Sequence, residues 1–244
     1  MPDQLFYLIP LLILISFLYS SVGHGGASGY IAILTLVGIQ GFLIKPSALI
    51  LNLIVSSISF FQFYRVGYFK WNLFWPFAIT SIPMAFFGSI IKVDPHVFQK
   101  FLGFALLFPI LKLIGVFDNK KEVSNNVSLI GALLIGGILG FLSGMLGIGG
   151  GIFLTPIIIL LGWANMKTAA AVSALFIFVN SLSGLFGLIS KGLVIENSVY
   201  LWIAAAVFGG IIGAYFGSTK FNSKTLQYIL ALVLLVAAFK LILT

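Results

Sequence analysis

Two glycine-rich stretches interrupt otherwise nearly continuous apolar sequence, and they lie 124 residues apart. The first is Gly23-His24-Gly25-Gly26 and the second is Gly147-Ile148-Gly149-Gly150-Gly151. Glycine weakens a helix and frees backbone polar groups. Inside a bilayer such groups are tolerated only where they are buried in protein or line a cavity. Paired interruptions at corresponding places of two repeats therefore predict a buried ligand site between the repeats.

The composition places these stretches in a membrane protein. The chain is 61% hydrophobic and 7% charged, whereas a soluble domain carries about 25% charged residues. We therefore expect an all-α polytopic membrane protein whose partner is the lipid bilayer. The absence of cysteine excludes disulfide and thiolate chemistry, and we expect neither a cofactor nor a metal site. The 13 Lys and Arg residues are dispersed among loops, so nucleic-acid binding is not expected.

Hydropathy divides each half of the chain into five apolar segments. In the first half they cover about 5–20, 28–43, 46–64, 71–91 and 97–117, and in the second about 128–143, 151–164, 168–190, 197–218 and 224–243. A helical span needs about 20 apolar residues, and the third to fifth segments of each half reach that length. The first two are shorter and enclose the glycine stretch. They predict either two short tilted spans or a hairpin that enters the membrane and returns.

The two halves are repeats that we expect to be inverted. Besides the glycine stretches, Gly67 and Asn72 match Gly192 and Asn197, and 85–89 matches 214–218. The polar run 118–127 predicts a linker between an N-terminal repeat, 1–117, and a C-terminal repeat, 128–244. Each half crosses the membrane an odd number of times under either treatment of its first two segments, so the halves should point in opposite directions.

The basic residues then sort towards one side of the membrane. That side carries Arg65, Lys70, Lys120, Lys121, Lys167, Lys220 and Lys224, and the positive-inside rule makes it cytoplasmic. Both termini are expected on the outer or periplasmic side. Lys45 and Lys167 precede the third segment of the two halves, and we interpret them as interface anchors.

The candidate site favours an anion. All five acidic residues fall at the N-terminus or in predicted loops, whereas cation carriers place a carboxylate at membrane depth. Helix starts and glycine turns present backbone N–H groups that can hold an oxyanion. Neutral hydroxyl and amide side chains on the third segments would complete such a site. The candidate substrate-binding residues are Gly23, His24, Gly25, Gly26, Asn52, Ser56, Gly147, Gly149, Gly150, Gly151, Ser173 and Asn180.

The stretch from Leu142 to Pro156 resembles the signature of the sulfite exporter TauE/SafE family. The pattern G-x-G-G-G-x-x-x-x-P is formed by Gly147, Gly149 to Gly151 and Pro156, and the segments 169–173 and 180–181 are also similar to that family. In the first half, His24 replaces an apolar residue, and the third glycine and the proline are missing.

The resemblance implies a bacterial inner-membrane exporter of sulfite or of an organosulfonate such as sulfoacetate, a secondary transporter rather than an enzyme. The residues alone indicate a small-anion carrier that works by alternating access around the paired glycine loops. A channel-like anion conduit, or a membrane enzyme or subunit active only with a partner, are the alternatives. Assembly with further copies of the chain is compatible with the sequence.

Overall fold

The computed structural model describes residues 2–39, 41–91, 104, 107, 110–111, 127–192 and 199–243, and the ordered elements within them are helical. In the first half, the helices are α1 (Pro2–Ser21), α2 (Ala27–Leu36), α3 (Gly41–Arg65) and α4 (Trp71–Ile90). In the second half, they are α5 (Leu129–Leu146), α6 (Gly151–Leu160), α7 (Met166–Ile189), α8 (Val199–Tyr215), a π-helical turn at Phe216–Lys220 and α9 (Ser223–Leu243). Most of the predicted segment 97–117 lies outside the described residues.

The prediction of an all-helical membrane protein is confirmed. Among the described residues, five helices are long and apolar enough to cross a membrane: Leu43–Arg65, Trp71–Ile90, Leu129–Leu146, Met166–Ile189 and Val199–Lys220. Large apolar side chains such as Phe61, Ile138 and Phe208 are more than half exposed, which is the surface that lipid covers.

The lengths predicted for the first two segments of each half are wrong. The first is a long helix, with 20 residues in α1 and 18 in α5, and the second has 10 residues in both α2 and α6. The short helices end at two glycines with positive φ, Gly38 and Gly162. Hydrogen bonds between Ser16 and Tyr30 and between Tyr19 and Ser28 show that α2 folds back along α1. Each half therefore opens with a long helix and a half-length return.

The most extensive packing among the described helices joins the two halves reciprocally. Helix α1 packs on α8 and α4 packs on α5, so the first helix of each half contacts the fourth helix of the other. The third helices, α3 and α7, pack on each other. Such reciprocity is expected of two repeats related by a two-fold axis. That the halves are inverted relative to the bilayer stays a prediction.

Small residues bring these cross-half pairs close together. Glycines at four-residue spacing on α5 lie on the α4 backbone, and a second set on α8 and the π-helical turn after it lies on the α1 backbone. The α5 set is Gly136, Gly140 and Gly144, against Phe77, Ser81 and Ala85, and the second set is Gly209, Gly213 and Gly217, against Ile13, Phe17 and Ser21. Between helices in lipid, close packing replaces the hydrophobic effect as the source of association.

Two lysines mark the two ends of this bundle. Lys167 Nζ donates to the Ser218 carbonyl at 3.2 Å and to the Tyr68 hydroxyl at 3.3 Å. Lys45 Nζ donates to the carbonyl of Met145, in the last turn of α5, at 3.1 Å. Both lysines donate hydrogen bonds to carbonyl groups at the end of a helix, where the backbone has no donor within the helix to pair with them.

Replacing Gly140 with alanine should destabilise the bundle, because its Cβ would overlap the Ser81 backbone carbonyl. Overpacking of this kind costs about 1–3 kcal/mol. The matched control is Gly137→Ala on the same helix, where the nearest atom is Thr80 Cβ at an ordinary 3.7 Å. Thermal unfolding in detergent should show a lower midpoint for Gly140→Ala alone, and equal midpoints for the two variants would contradict the packing described for α4 and α5.

Candidate functional site

The two glycine turns meet at one side chain, the amide of Asn52 in the middle of α3. A Cβ added to Gly25 would overlap Asn52 Oδ1, and a Cβ added to Gly149 would overlap Asn52 Nδ2. Glycine is therefore required at both positions by close approach. The expectation that residues 23–26 and 147–151 come together agrees with this geometry, while their role in binding a ligand stays a prediction.

Asn52 links elements of both halves through hydrogen bonds. Its Oδ1 accepts from the Ala27 N–H at the start of α2 at 3.1 Å, and its Nδ2 donates to Ser181 Oγ on α7 at 2.8 Å. The side chain is 1% exposed. Because the first N–H groups of a helix have no partner within the helix, Asn52 supplies the acceptor that α2 needs. The start of α2 is thus already occupied by a protein group.

A second polar chain connects the first glycine turn to α6 and α7. His24 Nε2 lies 2.9 Å from Thr155 Oγ1, and Thr155 Oγ1 donates to Ser173 Oγ at 2.7 Å. All three side chains are buried, with His24 at 1% exposure. Since the single hydroxyl proton of Thr155 is given to Ser173, Thr155 accepts from His24, and Nε2 is the protonated nitrogen of the neutral ring.

The short helices begin in the same way in both halves. Gly26 precedes α2 with φ +96° and Gly150 precedes α6 with φ +71°. A left-handed conformation is open to glycine at little cost. It directs the first N–H groups of α2 and α6 into the protein interior, where the positive end of a helix dipole favours an anion.

Polar atoms without a partner lie on the first glycine turn and on the two helices, α5 and α7, that contact the start of α6. Among the described side chains, His24 Nδ1, Ser143 Oγ and Asn180 Oδ1 are buried and have no hydrogen-bond partner. Ser143 Cβ and a Phe176 ring carbon lie 3.2 Å and 3.0 Å from where a Cβ of Gly150 would stand, and Asn180 Nδ2 donates to the Phe176 carbonyl. An unsatisfied buried polar group costs about 1–3 kcal/mol, so a ligand that paired with these atoms would recover that free energy.

Four other predicted site residues have different surroundings. Ser56 donates to the Leu53 carbonyl of its own helix at 3.2 Å. Gly23 packs on the Ala170 backbone in the first turns of α7, and Gly147 packs on the side chain of Lys45. Gly151 lies against Ile177 and the Ser173 carbonyl. Gly23 and Gly147 thus hold the ends of the turns, away from the Asn52 amide.

Sequence reasoning did not select Thr155, Ser143 or Ser181 as site residues. Thr155 is the one hydroxyl residue in the apolar stretch 151–160, and it directly precedes Pro156. A lone polar residue beside a proline in so short a helix was the signal that could have identified it. Its partner His24 lies 131 residues earlier in the chain, a distance that no local pattern bridges.

The electrostatics of this region suit a negatively charged or neutral ligand. No Asp or Glu is found among the side chains that the structure describes, and the same residues contain no group of His, Cys, Asp and Glu that could hold a metal ion. The side chain of Lys45 packs on the second turn, where its Cγ would lie 2.7 Å from a Cβ on Gly147.

A pocket of about 660 Å³ lies elsewhere, at the end of the bundle where α4 and α5 begin. Lys70, Trp71, Trp75 and Trp163 line it, and none of the candidate site residues does. Tryptophan beside lysine at a helix end is typical of a membrane–water interface. We therefore interpret this pocket as part of the interfacial surface and place the candidate site at the buried glycine turns.

Comparison with known proteins gives a consistent result over the whole chain. The sequence profile of the sulfite exporter TauE/SafE family matches residues 8–241. A probable membrane transporter protein of Sinorhizobium fredii, y4hK, is 35% identical over 93% of this chain and 94% of its own length. The probable membrane transporter proteins MJ0441 of Methanocaldococcus jannaschii and YjnA of Bacillus subtilis are 27% and 26% identical, over 91% and 90% of this chain and 88% and 92% of their own lengths. No solved structure matches the chain.

The Asn52–Ser181 hydrogen bond should contribute measurably to stability. Asn52→Ala leaves the Ala27 N–H and Ser181 without their partner, so we expect a loss of about 1–3 kcal/mol in the free energy of unfolding. A double-mutant cycle with Ser181→Ala should give a coupling of at least about 0.5 kcal/mol. SDS-induced unfolding in mixed micelles measures both. The control is Ser56→Ala, which removes a buried hydroxyl bonded within its own helix. If the losses in the free energy of unfolding for Asn52→Ala and Ser181→Ala are strictly additive, the predicted hydrogen bond between the two side chains is contradicted.

Proposed function

The chain belongs to the sulfite exporter TauE/SafE family, and from that premise we propose that it is a secondary transporter, an exporter, of small sulfur-containing anions. Sulfite and organosulfonates such as sulfoacetate are the proposed substrates. Membership of the family, together with relatives that are named as membrane transporters, makes the chain a multi-pass membrane transporter. The sulfur chemistry is carried over from the family name, and the residues of the chain supply the preference for an anion.

The convergence of both glycine turns on the buried Asn52 amide is the observation that carries this proposal. It supports a site between the halves, formed by two helix starts and by neutral side chains. A small oxyanion needs several donors and no nearby carboxylate, and this region offers backbone N–H groups, hydroxyls and an imidazole. The substrate would bind at the start of α6, because Asn52 already occupies the start of α2.

Alternating access is the proposed mechanism, and the contacts that close this region support it. The site residues are buried, and the hydrogen bonds across the halves include His24–Thr155 and Asn52–Ser181. These bonds join neutral groups, each worth about 0.5–1.5 kcal/mol net, so a small rearrangement around the glycine turns would expose the site first to one side and then to the other. We propose the bacterial inner membrane as the location, with both termini on the periplasmic side.

Two alternatives remain in the proposal. A channel-like conduit would use the same glycine turns without a closed intermediate. A membrane enzyme, or a subunit that needs a partner, would leave the purified chain without transport. Counterflow separates the first from a carrier, because only a carrier exchanges labelled for unlabelled substrate against a gradient, and activity of the chain by itself excludes the second.

Purified protein in liposomes should catalyse saturable efflux of sulfite or of a sulfonate, with counterflow. Glycine-to-valine changes at 149 or 150 are poor probes, because a Cβ at either position meets neighbouring side chains or backbone. Thr155→Val is a better one, since it keeps the shape and removes the hydroxyl between His24 and Ser173. We expect it to lower the initial rate at least about tenfold, the effect of roughly 1.4 kcal/mol.

The matched control for that variant is Thr35→Val on α2. Thr35 is exposed and its hydroxyl bonds to the Ile31 carbonyl of its own helix at 2.7 Å. Thr35→Val should transport at the wild-type rate. If liposomes with the wild-type chain release no sulfur oxyanion, the proposed function is wrong; if they release it and Thr155→Val behaves as Thr35→Val does, the transporter binds its substrate elsewhere.

A further inference from the structure

We propose that the substrate reaches this site carrying an acidic hydrogen, which His24 Nδ1 accepts, so that hydrogen sulfite is bound in preference to a fully ionised sulfonate. The inference rests on the proposed function and specifies which sulfur anion the site takes. It starts from a buried nitrogen atom for which the described residues provide no partner.

The tautomer of His24 decides what this atom requires. Thr155 donates its proton to Ser173 and therefore accepts from His24 Nε2. In a neutral imidazole the other nitrogen then carries a lone pair. His24 Nδ1 is buried and has no partner among the described residues, so a ligand at this atom must bring a hydrogen of its own.

The neighbouring unpaired atoms have a similar preference. Asn180 Nδ2 gives one of its two hydrogens to the Phe176 carbonyl, and Asn180 Oδ1, which can only accept, has no donor among the described residues. Ser143 Oγ, beside Gly150, can donate or accept. Two of the three unpaired atoms are therefore acceptors. A dianion offers neither of them a hydrogen, whereas the single hydrogen of a hydrogen oxyanion satisfies Nδ1 and its remaining oxygens can accept from Ser143 and from the first N–H groups of α6.

The charged and titratable groups around His24 do not supply this hydrogen. The Tyr19 ring on α1 lies 6.4 Å from the His24 ring, but its hydroxyl is paired with Ser28 on α2. On α7, the Lys167 ammonium is bonded to Ser218 and Tyr68, and on α3 Lys45 is bonded to Met145. Thr155, on α6, is not titratable in this range. None of these described groups offers a hydrogen to Nδ1, so in the proposed complex the substrate brings it.

Sulfur anions differ in whether they carry an acidic hydrogen, so a site of this kind would select among them. Near neutral pH sulfite is a mixture of the dianion and hydrogen sulfite, and the second form carries one negative charge and one acidic hydrogen. Methanesulfonate carries the same charge and no acidic hydrogen. In the proposed step the hydrogen bond to Nδ1 forms on binding and breaks on release, so one proton crosses the membrane with each anion and the ring stays neutral.

The direct test observes His24 itself. The chain has two histidines, so His96→Gln leaves His24 as the one imidazole, and ¹⁵N-histidine labelling in nanodiscs reports both of its nitrogens. Without ligand, Nε2 should be protonated and Nδ1 should resonate as a free lone-pair nitrogen. Sulfite near neutral pH should shift Nδ1 towards the hydrogen-bonded range, and methanesulfonate at the same concentration should not. A protonated Nδ1 without ligand, an equal response to both anions, or no response to sulfite overturns the proposal.

A flux measurement separates this inference from the function on which it rests. Liposomes that contain a pH-sensitive dye and an interior buffered well above neutral pH, where delivered hydrogen sulfite dissociates, should record about one proton released for each sulfite taken up through the wild type and through His96→Gln. His24→Gln keeps a donor for Thr155 but has a far less basic acceptor, so its rate of sulfite flux should fall at least tenfold. Sulfite transport with an unresponsive Nδ1, or with an unchanged rate in His24→Gln, overturns the role of His24 alone. If no sulfur anion is transported and Nδ1 does not respond, both the proposed function and the role of His24 are overturned.

Discussion

The structure depends on how it satisfies backbone groups at two places where helices stop inside the bundle. In a hydrocarbon environment a free N–H has no water to bind, so an internal helix start must be covered by protein. At α2 the acceptor is Asn52, which also bonds to Ser181 of the other half. Because both glycine turns lie against this amide, one side chain fixes the relation between α2, α3 and α7, and the candidate site takes its position from it.

The starts of α2 and α6 differ in how the polar groups around them are paired. On the first glycine turn, α5 and α7, three buried polar atoms have no partner among the described residues. A structure formed only for stability would pair or remove such groups. The start of α2 has the Asn52 amide as its acceptor, whereas none of the described side chains is seen to cap the start of α6, so the start of α6 is the one we propose for the ligand.

The sequence predicts the class and the meeting of the glycine turns, because composition and paired helix breakers act locally. It fails on segment lengths for two physical reasons. The predicted segment 128–143 ends too early, since Gly140 and Gly144 suggest weakness where close packing on α4 instead holds the helix to Leu146. The predicted segments 28–43 and 151–164 run too long, because Gly38 and Gly162 end α2 and α6. Thr155 could not be identified from the sequence, because its hydrogen bond with His24 forms only in the tertiary fold.

The packing of helices from one half on helices from the other has a consequence for biogenesis. The small-residue faces of α5 and α8 find their partners on α4 and α1, so the first half of the chain enters the membrane before the surfaces that will cover two of its helices have been synthesised. Its helices can insert one by one, but their final arrangement must wait for the second half. We therefore expect the halves on either side of the predicted linker 118–127 to assemble as one cooperative unit, late in synthesis.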